Sequence, residues 1–86
     1  MKFNTALLHG DFQGEPNTGA TTTPIYQSSA FAHESAEKLE KIFHNQAPGY
    51  SYTRISNPTV DAFEKRVTAL EGGVASVACA SGMAAL

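Results

Sequence analysis

Two short stretches of this chain carry groups suited to holding an anion. The first is "YTR", Tyr52 to Arg54, where a phenol and a guanidinium stand two positions apart. In an extended segment, residues i and i+2 point the same way, so the pair would converge on one point. The planar fork of arginine matches a phosphate dianion, and tyrosine adds a neutral donor. The second stretch is "SGMAAL", Ser81 to Leu86. Ser81 suits the N-cap of a helix that opens with Gly82 and Met83. The first backbone N–H groups of such a helix lack internal partners, and the helix dipole adds positive potential there. Gly82 lets a ligand approach the backbone, and the Ser81 hydroxyl is a further donor. Plainer roles fit the same residues: a solvated arginine beside a ring-packed tyrosine, and an ordinary strand-to-helix turn. Residue type and spacing leave both readings open.

The elements that must position these groups are unevenly legible. Residues Thr5 to His9 predict a short helix ending at Gly10. From Gly10 to Phe31 the run "GDFQGEPNTGATTTPIYQSSAF" has no helical or strand periodicity. It keeps Phe12, Ile25, Tyr26 and Phe31, more apolar side chains than a disordered linker carries. The expectation is an ordered arm that buries them against something else, such as another subunit. "HESAEKLEKIF" predicts a helix from about Ser35 to His44. Its face carries Ala36, Leu39 and Phe43 with Ile42 beside them, and Glu34–Lys38 and Glu37–Lys41 are favourable i,i+4 pairs. Gln46 to Ser56 reads as loop or extended chain. Asn57 as N-cap, Pro58 at the first helical position, and Val60, Phe63, Val67 and Leu70 at three- and four-residue steps predict a helix from Pro58 to about Glu71. Asp61 and Lys65 pair on its other side, and Gly72–Gly73 supply the stop. "VASVACA", Val74 to Ala80, reads as a short buried strand. Helix, strand and new helix open an α/β fold with a sheet that this stretch does not complete.

Bulk properties narrow the function classes. The 86 residues suffice for one small domain. Charged residues make up 16%, against a globular average of roughly 25%. A net charge of −2 gives no electrostatic reason to expect nucleic acid or an acidic membrane as partner. No apolar run approaches the ~20 residues of a membrane helix. The amino-terminal "MKFNTALLHGDF" has neither the apolar core nor the cleavage site of a signal peptide. Cys79 is the one cysteine, so a reducing, cytoplasmic setting is expected, with Cys79 as a small buried hydrophobe. His9, His33 and His44 have no metal-ligand spacing and read as surface or capping residues. Ser28 and Ser29 sit in no nucleophile-elbow pattern.

Four stretches taken together resemble the amino-terminal part of the Cys/Met-metabolism family of pyridoxal 5′-phosphate (PLP) enzymes: "TPIYQSSAF" (Thr23 to Phe31), "YTRISNPT" (Tyr52 to Thr59), "ALEGG" (Ala69 to Gly73) and "ASGMAA" (Ala80 to Ala85). They run in the family's order and spacing. The resemblance implies a fold-type I, aspartate-aminotransferase-like α/β architecture. Residues 1–57 would form an amino-terminal arm and inter-subunit segment, and 58–86 the start of a PLP-binding large domain. It implies that Ser81, Gly82 and Met83 hold the cofactor phosphate of their own subunit, while Tyr52 and Arg54 reach the phosphate of a neighbouring one. A homo-oligomer, a dimer of dimers acting on a small amino-acid substrate, follows from the same likeness. "YTR", where the lyases more often read Tyr-Ser-Arg, and "FHNQAPGYSY" are most similar to the O-acetylhomoserine sulfhydrylases of the family. "SGMAA" is shared with methionine and cystathionine lyases. The lysine that carries the cofactor and the partner of its pyridine nitrogen are expected beyond Leu86. The chain is therefore expected to be a fragment that contributes cofactor-binding residues and no catalytic or metal-binding one. A non-catalytic dimerisation arm is the alternative from another class.

Overall fold

The computed structural model describes residues 2–10 and 14–86, and Phe12 of the expected arm lies outside them. Among the described residues there are four helices and one isolated antiparallel bridge. Helix α1 spans Phe3–His9, α2 Ala36–Phe43, α3 Pro58–Glu71 and α4 Gly82–Ala85. The chain groups into two compact units, one of residues up to Ile25 with Thr59–Leu86, the other Tyr26–Pro58.

In the first unit, α1 ends at Gly10, where φ is 54° and ψ is −130°. That backbone region suits a residue without Cβ. An added Cβ there would also lie 2.8 Å from Arg66 Nε. The closeness has a purpose. Arg66 donates to the carbonyls of Leu7 and Leu8 at 3.0 and 2.8 Å, satisfying the last turn of α1 with a cation where the helix dipole is negative.

Helix α3 has the predicted bounds. Asp61 and Lys65 form an ion pair at 3.1 Å across one turn. Its end is a left-handed Gly72 (φ 66°) followed by Gly73 N–H donating to Thr68 O at 3.0 Å, the six-to-one closure of a Schellman stop. The predicted face is only partly covered within the chain. Val67 and Leu70 are half-buried, whereas Val60 and Phe63 are exposed.

The segment Val74–Ala80 overturns the predicted buried strand. It forms no ladder, Val74 and Val77 are exposed, and Cys79 is exposed rather than buried. The physical reason is that a strand needs a neighbour for its N–H and C=O groups, and none of the described segments pairs with this one. What holds it is α3. Glu64 Oε2 accepts from Ala78 N at 2.7 Å, and the Thr68 and Ser76 hydroxyls lie 2.7 Å apart.

Ahead of it, "EPNTG" closes a compact turn. Gly19 N–H donates to Glu15 O, and the Glu15 carboxylate accepts from Thr18 Oγ1 (2.8 Å), Asn17 N (3.0 Å) and Thr18 N (2.6 Å). The Thr18 hydroxyl first, then the two backbone donors, hold the Glu15 carboxyl below its ordinary range. A carboxylate depressed in the folded state stabilises the turn above its unfolded pKa and loses that contribution as pH falls through the folded value. Followed by its carboxyl NMR shift in the full-length protein, Glu15 is expected to titrate below an unstructured glutamate. The Thr18 amide resonance should move with it, and Thr18→Ala should return the titration toward the free value.

In the second unit, α2 is capped by Ser35, whose hydroxyl accepts from Lys38 N at 3.2 Å. It stops by the same closure as α3, with Asn45 (φ 57°) in the glycine role and Gln46 N–H donating to Lys41 O at 2.8 Å. The buried residue is Ile42, whose Cδ1 packs against Gly49. Of the predicted face, Leu39 is half-buried, while Ala36 and Phe43 are exposed within this chain. Neither Glu34–Lys38 nor Glu37–Lys41 closes to an ion pair among the described residues, as surface pairs of long side chains often fail to do.

Candidate functional site

The arm and the "YTR" stretch meet. Phe31 N–H donates to Ser51 O at 3.1 Å and Thr53 N–H to Ser29 O at 2.8 Å, around the Ala30–Tyr52 bridge. The Phe31 and Tyr50 rings lie 5.8 Å apart at 45°. His33 Nε2 donates to Tyr50 O at 2.6 Å. The irregular arm therefore acts as the partner that fixes Tyr50 to Thr53.

From Tyr52 the chain turns rather than continuing extended. Ile55 N–H and Ser56 N–H both donate to Tyr52 O, at 3.0 and 3.1 Å. The extended segment expected to aim Tyr52 and Arg54 the same way is thus replaced by a turn. The Arg54 guanidinium carbon sits 5.5 Å from the centre of the Tyr52 ring, within cation–π range. Both side chains are exposed, and among the described residues no carboxylate pairs with Arg54.

Asn57 and Thr53 complete this unit. Asn57, expected as a helix cap, is buried, and its side-chain nitrogen donates to Tyr26 O and to Thr53 Oγ1, both at 3.1 Å. Thr53, between the two candidate ligands, donates its hydroxyl to Ser28 O. The spacing Thr53–Asn57 carries no motif, so nothing local in the sequence pointed to it.

Ser81, Gly82 and Met83 lie together in the other unit. Ser81 caps α4 as predicted, its hydroxyl accepting from Ala84 N at 3.2 Å. The Gly82 and Met83 N–H groups have no partner among the described residues. A Cβ added at Gly82 would meet nothing within 4 Å, so the backbone is open to approach. Taken separately, each group of donors suits a phosphate dianion: a guanidinium and a phenol in one unit, two helix-start N–H groups in the other. Among the described residues no cluster of His, Cys, Asp and Glu could hold a metal ion. Among the described residues no helix is long and apolar enough to cross a membrane.

Comparison with known proteins agrees with this chemistry. Residues 4–86 match the family described as Cys/Met metabolism PLP-dependent enzyme. O-acetyl-L-homoserine sulfhydrylase 1 of Thermus thermophilus is 45% identical over 85 residues, 99% of this chain and 20% of that protein. L-methionine gamma-lyase of Pseudomonas deceptionensis is 42% identical over 84 residues, 98% of this chain and 21% of the lyase. A crystal structure of an O-acetylhomoserine (thiol)-lyase from Campylobacter jejuni, which contains a pyridoxyl-lysine phosphate group, superposes with a TM-score of 0.86 at 35% identity. That match covers 99% of this chain and 21% of the lyase. The chain spans about one fifth of the length of these relatives. With a family match across nearly all of its residues and a solved relative of the same local fold, the chain belongs to the Cys/Met metabolism family of PLP-dependent enzymes.

Proposed function

We propose that this chain supplies the phosphate-holding residues of an O-acetylhomoserine sulfhydrylase, which converts O-acetyl-L-homoserine and sulfide or methanethiol to homocysteine or methionine and acetate. The observation that carries the phosphate role is the exposed Arg54 guanidinium, its carbon 5.5 Å from the centre of the Tyr52 ring, with no acid paired to it among the described residues. The 45% identity to a sulfhydrylase favours that branch of the family.

Residues 58–86 begin the large domain of a fold-type I, aspartate-aminotransferase-like enzyme, and 1–57 are its arm and inter-subunit segment. Gly82 and Met83 donate backbone N–H groups to the phosphate of their own subunit, and Ser81 fixes the turn that aims them. Tyr52 and Arg54 donate to the phosphate bound by the neighbouring subunit. The assembly is a homotetramer built as a dimer of dimers and works in the cytoplasm. Bound pyridoxal phosphate supplies an electron sink for charge developing on the substrate carbon skeleton. The residues of this chain fix where that group sits and neutralise its phosphate.

The test is the dissociation constant for pyridoxal phosphate in the full-length protein. Arg54→Lys keeps the charge and loses the two-donor fork. It should weaken binding about tenfold or more, because hydrogen bonds to charged groups are worth about 1.5–3 kcal/mol. Tyr52→Phe gives up one neutral donor worth about 0.5–1.5 kcal/mol and should cost about two- to tenfold. Wild-type constants in both variants would remove the phosphate assignment.

The 42% identity to a methionine gamma-lyase supports a second reading, a lyase acting on methionine. Acetate release from O-acetylhomoserine that depends on added sulfide selects the sulfhydrylase. Methanethiol release from methionine with no second substrate selects the lyase.

A further inference from the structure

We infer that Thr53 and Asn57 are positioning residues for the Tyr52–Arg54 clamp, and that the Thr53 hydroxyl governs how tightly the phosphate end of the cofactor is held. The inference rests on the phosphate reading above. Tyr52 and Arg54 are exposed, and their side chains meet with the guanidinium carbon 5.5 Å from the ring centre. The anchoring of the turn falls to the residue between them. Thr53 is held at three points. Its N–H donates to Ser29 O at 2.8 Å, its hydroxyl donates to Ser28 O, and the same hydroxyl accepts from Asn57 Nδ2 at 3.1 Å.

Asn57 closes the arrangement from behind. It is 4% exposed, and the same nitrogen also donates to Tyr26 O at 3.1 Å. Both of its amide protons are thereby engaged, one by the arm and one by Thr53. Removing the Thr53 hydroxyl leaves a buried N–H without its acceptor and Ser28 O without its donor. The turn that carries Arg54 then loses its side-chain link to the arm. The rest of the arm keeps separate attachments, through Phe31–Tyr50 and His33–Tyr50. The damage is therefore confined to the clamp. Neither Thr53 nor Asn57 needs to touch the phosphate for this to hold.

The experiment uses the full-length holoenzyme stripped of cofactor, with pyridoxal phosphate and phosphate-free pyridoxal as the two probes. Thr53→Val is near-isosteric and lacks the hydroxyl. Its dissociation constant for pyridoxal phosphate should rise about tenfold, and that for pyridoxal should stay at the wild-type value. Thr53→Ser restores the hydroxyl and should return pyridoxal phosphate binding to within about twofold of wild type. Should Thr53→Val fail to accumulate as folded protein, Thr53→Ala is read in the same way. Arg54→Lys is the control for the underlying reading. If it weakens pyridoxal phosphate selectively while Thr53→Val does not, the positioning inference is wrong and the phosphate reading stands. Equal weakening of both probes in Thr53→Val marks a merely structural role and overturns the inference. An unchanged phosphate preference in Arg54→Lys overturns the reading and the inference with it.

Discussion

Two inactive forms of the full-length protein, unfolded together and refolded, are expected to regain activity. One carries Arg54→Ala. The other lacks the lysine that bears the cofactor in this family. In a mixed dimer, one site combines the intact lysine of the first chain with the intact Arg54 of the second, and the other site holds both defects. Recovery should reach about half of a native dimer per mixed dimer if the sites act independently. The grounds lie in the arm. Within the second unit Tyr52 and Ile55 are 42% and 63% exposed, large side chains that a second subunit would cover. Tyr52 and Arg54 also belong to a different compact unit from Ser81, Gly82 and Met83. If Arg54 served its own subunit, each site would keep its own defect. A mixture that contains mixed dimers and is as inactive as its components would then be the outcome.

The second large effect concerns these 86 residues taken alone. They are expected to melt without a cooperative transition and to bind a hydrophobic dye such as ANS at room temperature. Among the described residues the buried apolar side chains are Ala6 and Ile42, one in each compact unit. Val74 is 102% exposed, Val77 83%, Met83 80% and Leu86 98%. A fully buried side chain of this size contributes about 1.5–3 kcal/mol, whereas fixing each residue's backbone costs about 1–2 kcal/mol. Two small buried contacts do not offset that cost. A sharp calorimetric peak from the isolated monomer, independent of concentration, would contradict the expectation.

How far the sequence foretold the structure depends on how local the cause is. Pro58–Glu71 was legible to the residue because its signals are local: proline at the start, a three- and four-residue apolar step, and two glycines at the end. Ser81 was legible as a cap for the same reason, whereas Ser35 was read as the first residue of its helix and is its cap. Val74–Ala80 was not, because a β-branched run becomes a strand only when another strand lies beside it. For Tyr52 and Arg54 the expected reason was an extended segment, and the structure has a turn there instead. Two N–H groups three and four residues on capture Tyr52 O and bend the chain. Asn57 shows the limit most clearly. A cap is inferred from the next three residues, whereas its bond to Tyr26 spans 31 positions and leaves no local trace.

Arg66 reaches back 58 and 59 positions to the carbonyls that end α1. On a ribosome adding roughly 5–20 residues per second, those carbonyls are made about 3–12 s before the side chain that satisfies them. During that interval α1 is too short to persist on its own. The order of birth along the chain is thus the reverse of the order of locking. The first helix to be synthesised waits for the third, and a pause in translation anywhere between Gly10 and Arg66 would lengthen the time that Phe3, Leu7 and Leu8 stay open to chaperones or to a neighbouring nascent chain.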